Sequence, residues 1–357
     1  MATEISAVKR APGAAPTLGA HAQHAAWQQR HVPDVEQVRD RVWSVSTQMP
    51  KSALGYTLSY LLETDEGLVL IDNGWLGDES WAALESGIRA SGHVVGDVSD
   101  VLLTHTHIDH HGLSRRIVEA SGARLHMHRL EARALERDIA GRQVDFPRWL
   151  EDRGVPFEDA DALMGELGSD SLRREVAALP PATHEFEDDD RPIGALPGLR
   201  VVFTPGHTAG HACFLLEPEG LLFSGDHVLP RITPHVTRPP GDKSDPLTDY
   251  LDSLRIVRDL TVSEVLPAHE YRFADLRGRV DTMLAHHEER LDEIEAATPG
   301  STWEIAAAIS WARGWDATSG VGRQLALNET FIHLTHLARA GRVRRTGQSP
   351  DLWEISQ

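Results

Sequence analysis

His105-Thr106-His107-Ile108-Asp109-His110-His111-Gly112 follows directly on the short apolar run Val101-Leu102-Leu103-Thr104. A run of that length reads as a buried strand. On extended backbone, residues two apart point the same way, so His105 and His107 can grip one ion. Asp109 and His110 fall where the chain turns from loop to helix and can face a second ion. Imidazole suits Zn²⁺, and an added carboxylate hardens the second position. Three further segments end a short apolar run with a possible ligand: Thr204-Pro205-Gly206-His207, Phe223-Ser224-Gly225-Asp226 and Leu266-Pro267-Ala268-His269. Ligands at strand ends, along one edge of a sheet, are how α/β proteins build sites. A lone His-x-His would read as structural; these segments together read as metal binding.

Working outward, Tyr56–Glu63 and Leu68–Asp72 flank an Asp65-Glu66-Gly67 turn, a hairpin signal. Leu199–Thr204, Ala212–Leu216, Leu221–Ser224 and Val265–Pro267 read as further buried strands. Ser80 to Ser91 places Trp81, Leu84 and Ile88 on one helical face, and Leu113, Ile117 and Ala120 do likewise before Gly122, a C-terminal stop. Strands alternating with helices imply an α/β sandwich. Residues 1–38, rich in Ala and Pro, read as a flexible N-terminal arm. Residues 129–183 are charged and helical and read as an insertion, a lid candidate in which Phe146 and Trp149 either cover substrate or pack the core. In the tail, Arg279–Ala297 is a polar helix, Ser301-x-x-Glu304 is a capping box, and a third helix carries Phe331, Leu334 and Leu337. Val343 and Trp353–Ile355 complete a small hairpin, so residues 276–357 read as a winged-helix-like domain.

The set His105-x-His107-x-Asp109-His110, Pro205-Gly206-His207-Thr208-x-Gly210-His211, Gly225-Asp226 and Pro267-x-His269, with Leu70-Ile71-Asp72-x-Gly74 before it, resembles the metallo-β-lactamase superfamily. It looks closest to the glyoxalase-II-like branch with a winged-helix tail, over roughly residues 40–340. The resemblance implies an αββα sandwich, with the catalytic domain spanning residues 39–275. It further implies that His105, His107 and His207 hold a first metal, that Asp109, His110 and His269 hold a second, and that Asp226 bridges both. Asp72 would orient a ligand histidine from behind. The implied chemistry is hydrolysis by a metal-bridged hydroxide, Asp109 passing a proton to the leaving group. The expected cofactors are two divalent ions, zinc first, with manganese or iron accepted by the same ligands. Asp226 stands where subclass B1 and B2 β-lactamases carry cysteine, which argues against β-lactam cleavage as the main role. His107 stands where flavodiiron proteins carry glutamate.

Other histidines read more plainly. His211 is a structural or supporting group, His111 and His227 are neighbours of ligands, and His128 either lines the site or packs at a strand end. His286, His287, His333 and His336 lie on helices as solvated or packing residues. Cys213 is the sole cysteine and reads as a small buried apolar residue, which excludes an intramolecular disulfide. Lys+Arg 35 against Asp+Glu 54 gives a net charge of −19, a field that disfavours nonspecific nucleic-acid binding. Arg339, Arg342, Arg344 and Arg345 form a basic cluster on the tail, read as a packing or dimer surface before a nucleic-acid one. The start of the chain lacks the apolar core of a signal peptide, and a cytoplasmic setting is the default expectation.

The leading expectation is therefore hydrolysis of a thioester, ester or lactone, with a small acyl molecule as partner, no membrane, and a homodimer left open. A phosphodiesterase or ribonuclease of the same fold is the second reading. A regulatory protein with a structural metal site is the third. Structural zinc sites are closed by four protein ligands, whereas this set leaves positions for water.

Overall fold

The computed structural model describes residues 20–50, 52–139, 145–164, 176, 178–236, 244–347 and 349–356. Strands β1 (Glu36–Arg39), β2 (Val42–Gln48), β3 (Tyr56–Thr64), β4 (Gly67–Ile71), β5 (Val98–Leu102), β6 (Arg124–His128) and β7 (His184–Phe186) line up in chain order in one sheet. The pairing is antiparallel from β1 to β4 and parallel from β4 to β7. A second sheet has the order β11-β10-β9-β8, from β8 (Leu199–Phe203), β9 (Ala212–Leu216), β10 (Leu221–Gly225) and β11 (Glu264–Pro267). The expected hairpin is present: Thr64 pairs with Gly67 around a two-residue tip, and Thr64 Oγ1 accepts from Glu66 N at 3.0 Å.

Alternation along the strands sorts side chains into layers. Leu58, Tyr60 and Leu62 of β3 meet Phe214, Leu216, Leu221 and Phe223 between the sheets. Leu61, Leu70 and Val101 face the other way, onto Leu84 and Ile88 of α2 (Asp78–Ala90) and Ile117 of α4 (Ser114–Ser121), which follows the short α3 (Ile108–His111). Cys213, Leu215 and Leu222 point outward from the second sheet, onto Leu247, Leu251 and Leu254 of α8 (Pro246–Arg258). Helix, sheet, sheet, helix is thus what period-two burial on both faces produces, and the expected αββα sandwich is found. Tyr60 ties the layers together, its hydroxyl donating to Pro267 O at 2.7 Å while its ring lies 5.3 Å from Phe223.

The arm reading needs correction for its second half. Helix α1 (His21–Gln28) docks through Gln23, whose Nε2 donates to Ser44 Oγ and whose Oε1 accepts from Arg272 N; β1 joins the sheet. The one buried side chain of the helix is an amide among alanines and histidines, so no apolar period marks it in the sequence. Residues 1–19 lie outside those described.

Within the insertion, α5 (Arg129–Ile139) continues from β6, followed by α6 (Phe146–Asp152) and α7 (Phe157–Met164). Phe146 and Trp149 stack at 5.4 Å and pack against the core shared with the tail. Arg153 O accepts from Trp303 N and Asp152 O from Asp351 N, so α6 is pinned to the tail by backbone hydrogen bonds. The tail itself comprises α9 (Leu276–Ala297), β12 (Gly300–Ser301), α10 (Thr302–Ala308), α11 (Gly320–Arg339), β13 (Val343–Arg345) and β14 (Leu352–Ile355), the strands ordered β12-β14-β13. The capping box is formed: Ser301 Oγ accepts from Glu304 N, and Glu304 Oε2 from Ser301 N. Among the described residues, no helix is long and apolar enough to cross a membrane.

Candidate metal centre

The ligand segments all leave the sheets at one edge: His105 beyond β5, His207 beyond β8, Asp226 beyond β10 and His269 beyond β11, while Asp109 and His110 open α3. Two glycines allow this crowding. Gly225 has φ +49°, and a Cβ there would come within 2.8 Å of His211 Nε2 and Thr104 Oγ1. Gly206 has φ +135°, and a Cβ there would lie 2.4 Å from that of Tyr250. No other residue tolerates both demands.

The structure brings the seven expected ligands together in two groups joined by Asp226. His105 Nε2, His107 Nδ1 and His207 Nε2 lie 2.9, 3.1 and 3.2 Å apart. Beside them, His269 Nε2 is 3.4 Å from Asp109 Oδ2, and His110 Nε2 is 3.7 Å from the same oxygen. Asp226 Oδ1 faces His269 Nε2 at 3.3 Å and His110 Nε2 at 3.5 Å, while its Oδ2 faces His207 Nε2 at 3.7 Å. These atoms form clusters that could hold a metal ion.

Hydrogen bonds behind the rings fix which nitrogen is bare. His110 Nδ1 donates to Asp72 Oδ2 at 2.8 Å, His207 Nδ1 to His235 O at 2.6 Å and His269 Nδ1 to Tyr56 O at 3.0 Å. Thr104 Oγ1 spends its single proton on Asp72 Oδ2, so it accepts from His105 Nδ1 at 3.0 Å. Each of these four rings therefore turns its Nε2 inward, and at His105 and His207, where burial disfavours the protonated form, that Nε2 carries a lone pair. Two lone pairs, those of His105 and His207, then face each other at 3.2 Å, a repulsive arrangement unless a cation lies between them. A tetrahedral ion with Zn–N of about 2.0–2.1 Å needs nitrogens about 3.3 Å apart, which this triangle nearly meets. His110 Nε2, His269 Nε2 and Asp226 Oδ1 are buried without a hydrogen-bond partner. The donor set fits a pair of divalent ions.

Electrostatics divides the site in the same way. Burial, with neighbouring His107, pushes His207 down to about 3, and burial with His110 and His107 holds His105 well below the ordinary histidine range. Burial also opposes charge on His269, but Asp226 and Asp109 outweigh it and raise that group to about 10. Asp226 is held well below the carboxylate range, burial being overcome by His269 and His110. One half refuses a proton and the other demands positive charge; divalent cations answer both.

Asp72 stands where the sequence placed it, at φ +52°, and also accepts from Thr104 N at 2.9 Å. His211 lies behind Asp226: its Nε2 accepts from Asp226 N at 3.2 Å and its Nδ1 donates to Thr204 Oγ1 at 2.8 Å. His111 packs behind the centre, bonded to Ser114 Oγ and Pro180 O, and His227 packs on Tyr250. His128 stacks on Phe203 at 4.4 Å, the packing alternative. Cys213 is buried and its thiol is pushed up to about 12 by that burial. His287 and His333 are both buried and share a contact of 3.2 Å, so these two pack instead of facing solvent.

Sequence reading missed Thr104, Asn73 and helix α8. Asn73 Oδ1 accepts from Leu113 N and its Nδ2 donates to Ser114 Oγ, anchoring the helix start beside His110. Tyr250 donates to His227 O at 2.9 Å and Ser253 to Pro205 O at 2.9 Å, so α8 clamps two ligand loops at once. The position of Thr104, between a strand and the first histidine, is a signal that could have been used; α8 offers none.

Comparisons with known proteins identify the fold family. The family description "Metallo-beta-lactamase superfamily" matches residues 53–269. The Lactamase-like protein adaB of Aspergillus niger is 30% identical over 278 residues, covering 77% of this chain and 69% of that one. An atrochrysone carboxyl ACP thioesterase of Aspergillus fumigatus is 28% identical, over 69% of this chain and 45% of its own. The crystal structure of a metallo-beta-lactamase family protein from Thermus thermophilus superposes with a TM-score of 0.74 at 28% identity, covering 89% of this chain and 100% of that one. A beta-lactamase domain protein from Burkholderia ambifaria superposes equally well, with a TM-score of 0.74 at 27% identity over 90% and 94%. The chain belongs to the metallo-beta-lactamase superfamily.

Proposed function

We propose that the protein is a two-metal acyl hydrolase acting on a thioester, ester or lactone. The observation that carries this is Asp226, whose two oxygens face different histidine groups, Oδ1 toward His269 and His110 and Oδ2 toward His207. Divalent ions held there would supply Lewis acidity for hydrolysis. His105, His107 and His207 would hold one ion, Asp109, His110 and His269 the other, and Asp226 both. Asp72, Thr104 and His211 keep these groups in a fixed orientation. Asp109 would be the carboxylate that passes a proton to a leaving alkoxide or thiolate. The acyl preference draws support from the relative named as an ACP thioesterase. The tail's order of helix, strand, two helices and two strands supports a winged-helix-like reading.

The tail arginines do not favour a phosphodiester substrate. Arg342 pairs with Asp292 and Glu295, Arg344 with Glu354, Arg345 with Asp351 and Arg339 with Asp245, so their charge is already answered. The test is a panel of zinc-loaded protein against thioesters, lactones, aryl esters, a β-lactam and an aryl phosphodiester. Turnover of acyl substrates is expected, with Asp226→Ala and His110→Ala reducing it at least about 100-fold while circular dichroism is retained. Turnover of the phosphodiester alone, or undiminished rates in both variants, overturns the reading.

A further inference from the structure

Glu131 belongs to none of the ligand segments. It lies in the first turn of α5, at the start of the insertion, and is 1% exposed. Its Oε2 accepts from Thr106 N at 2.9 Å and from Thr106 Oγ1 at 2.8 Å, and its Oε1 accepts from Gly210 N at 2.8 Å. Thr106 sits between His105 and His107; Gly210 sits between His207 and His211. One carboxylate therefore grips both loops that carry the three-histidine group. The contact is tight enough to require glycine at 210, where a Cβ would fall 2.6 Å from Glu131 N.

Burying a carboxylate costs several kcal/mol unless its oxygens are well bonded. The hydrogen-bond partners of Glu131 among the described residues are two backbone N–H groups and a hydroxyl, all neutral. Such charge-assisted bonds are strong enough to hold the loops in register, and they leave the negative charge unspent. Three imidazoles carry no charge of their own, and Asp226 is shared between the two halves. A buried negative charge one residue behind the histidines therefore favours a cation in that half.

We infer that Glu131 is a positioning residue for the three-histidine position, bracing the 105–107 and 207–211 loops and supplying the charge that position lacks. The inference rests on the two-metal reading above. It predicts a selective effect, since no hydrogen bond of Glu131 among the described residues reaches Asp109, His110 or His269.

The test is zinc titration against a competing chromophoric chelator, the two positions being assigned with His207→Ala and His269→Ala. Glu131→Gln keeps the volume but loses the charge and one accepting arm. Its affinity at the three-histidine position is expected to fall about 10- to 100-fold, the usual range for groups behind metal ligands. The other position should change little. Thr106→Val, which keeps the carboxylate and removes one donor, should weaken the same position about fivefold. If Glu131→Gln does not fold, judged by circular dichroism, the threonine variant decides. Unchanged affinities, or equal weakening of both positions, overturn the brace. A wild-type protein that binds no zinc overturns the two-metal reading instead.

Discussion

Asp72 shows how a residue outside the ligand set governs it. Its carboxylate takes His110 Nδ1, Thr104 N and Thr104 Oγ1 at once, from a left-handed backbone position that only a few residue types accept readily. Asn tolerates the same φ, so Asp72→Asn tests the acceptor and not the backbone. Zinc affinity is expected to fall about 10- to 100-fold, with His110 free to turn its ring. Chelator competition reads this directly, and an affinity equal to wild type would remove Asp72 from the metal centre. The same logic makes Thr104 more than a strand-end residue: its single hydroxyl proton decides which nitrogen of His105 faces inward.

Helix α8 is the element to test first, because it presses on two ligand loops and has no motif of its own. Its N-cap is Asp245, which accepts from Thr248 N at 3.2 Å and Thr248 Oγ1 at 2.9 Å and meets His336 at 3.2 Å and Arg339 at 3.6 Å on α11. Burial opposes its charge, but the hydrogen bonds from His336 and Thr248 prevail and lower it to about 2. A carboxylate depressed below its unfolded value, about 3.9, adds stability above that value and loses it as pH falls through the folded one. Asp245→Ala should therefore cost about 1–2 kcal/mol at pH 7. The gap to wild type should persist down to about pH 4 and close toward about pH 2, as followed by urea unfolding. A gap that instead narrows as pH rises from about 6 to about 8, where histidine loses its proton, would assign the effect to another group.

At the scale of the whole molecule, the tail shares a buried core with the second sheet and α8. Leu222 and Val265 of the second sheet, Leu254 of α8, Met283 of α9, Leu334 and Leu337 of α11 and Trp353 of β14 belong to one continuous buried cluster. A shared core makes unfolding cooperative across it. Calorimetry of the full chain should show one transition in which the sheet and tail melt together. A chain ending at Asp275 should lose its near-UV dichroism and aggregate, since it exposes the side of α8 on which α9 and α11 pack. Two resolved transitions, or a soluble, zinc-binding truncated chain, would restore the tail as an independent domain.

Much of this was legible in residues 101–112 and their three counterparts, because ligand chemistry is local: a donor must stand at a strand end, and short apolar runs mark those ends. Short continuous apolar runs in β9 and β10 likewise marked strands buried on both faces, and their alternation with helical segments pointed to the layered sandwich. What the chain alone did not show are features made by distant partners. Helix α1 is held by the Gln23 amide and by ring contacts of His24 and Trp27 with Tyr271, α8 acts through a tyrosine and a serine on loops about 20 to 50 residues away in sequence, and Glu131 looks like any helical acid until two loops converge on it. A sequence records which groups can bind; only the folded chain decides which of them are buried, oriented and brought within hydrogen-bond reach, because those depend on contacts that no local pattern encodes.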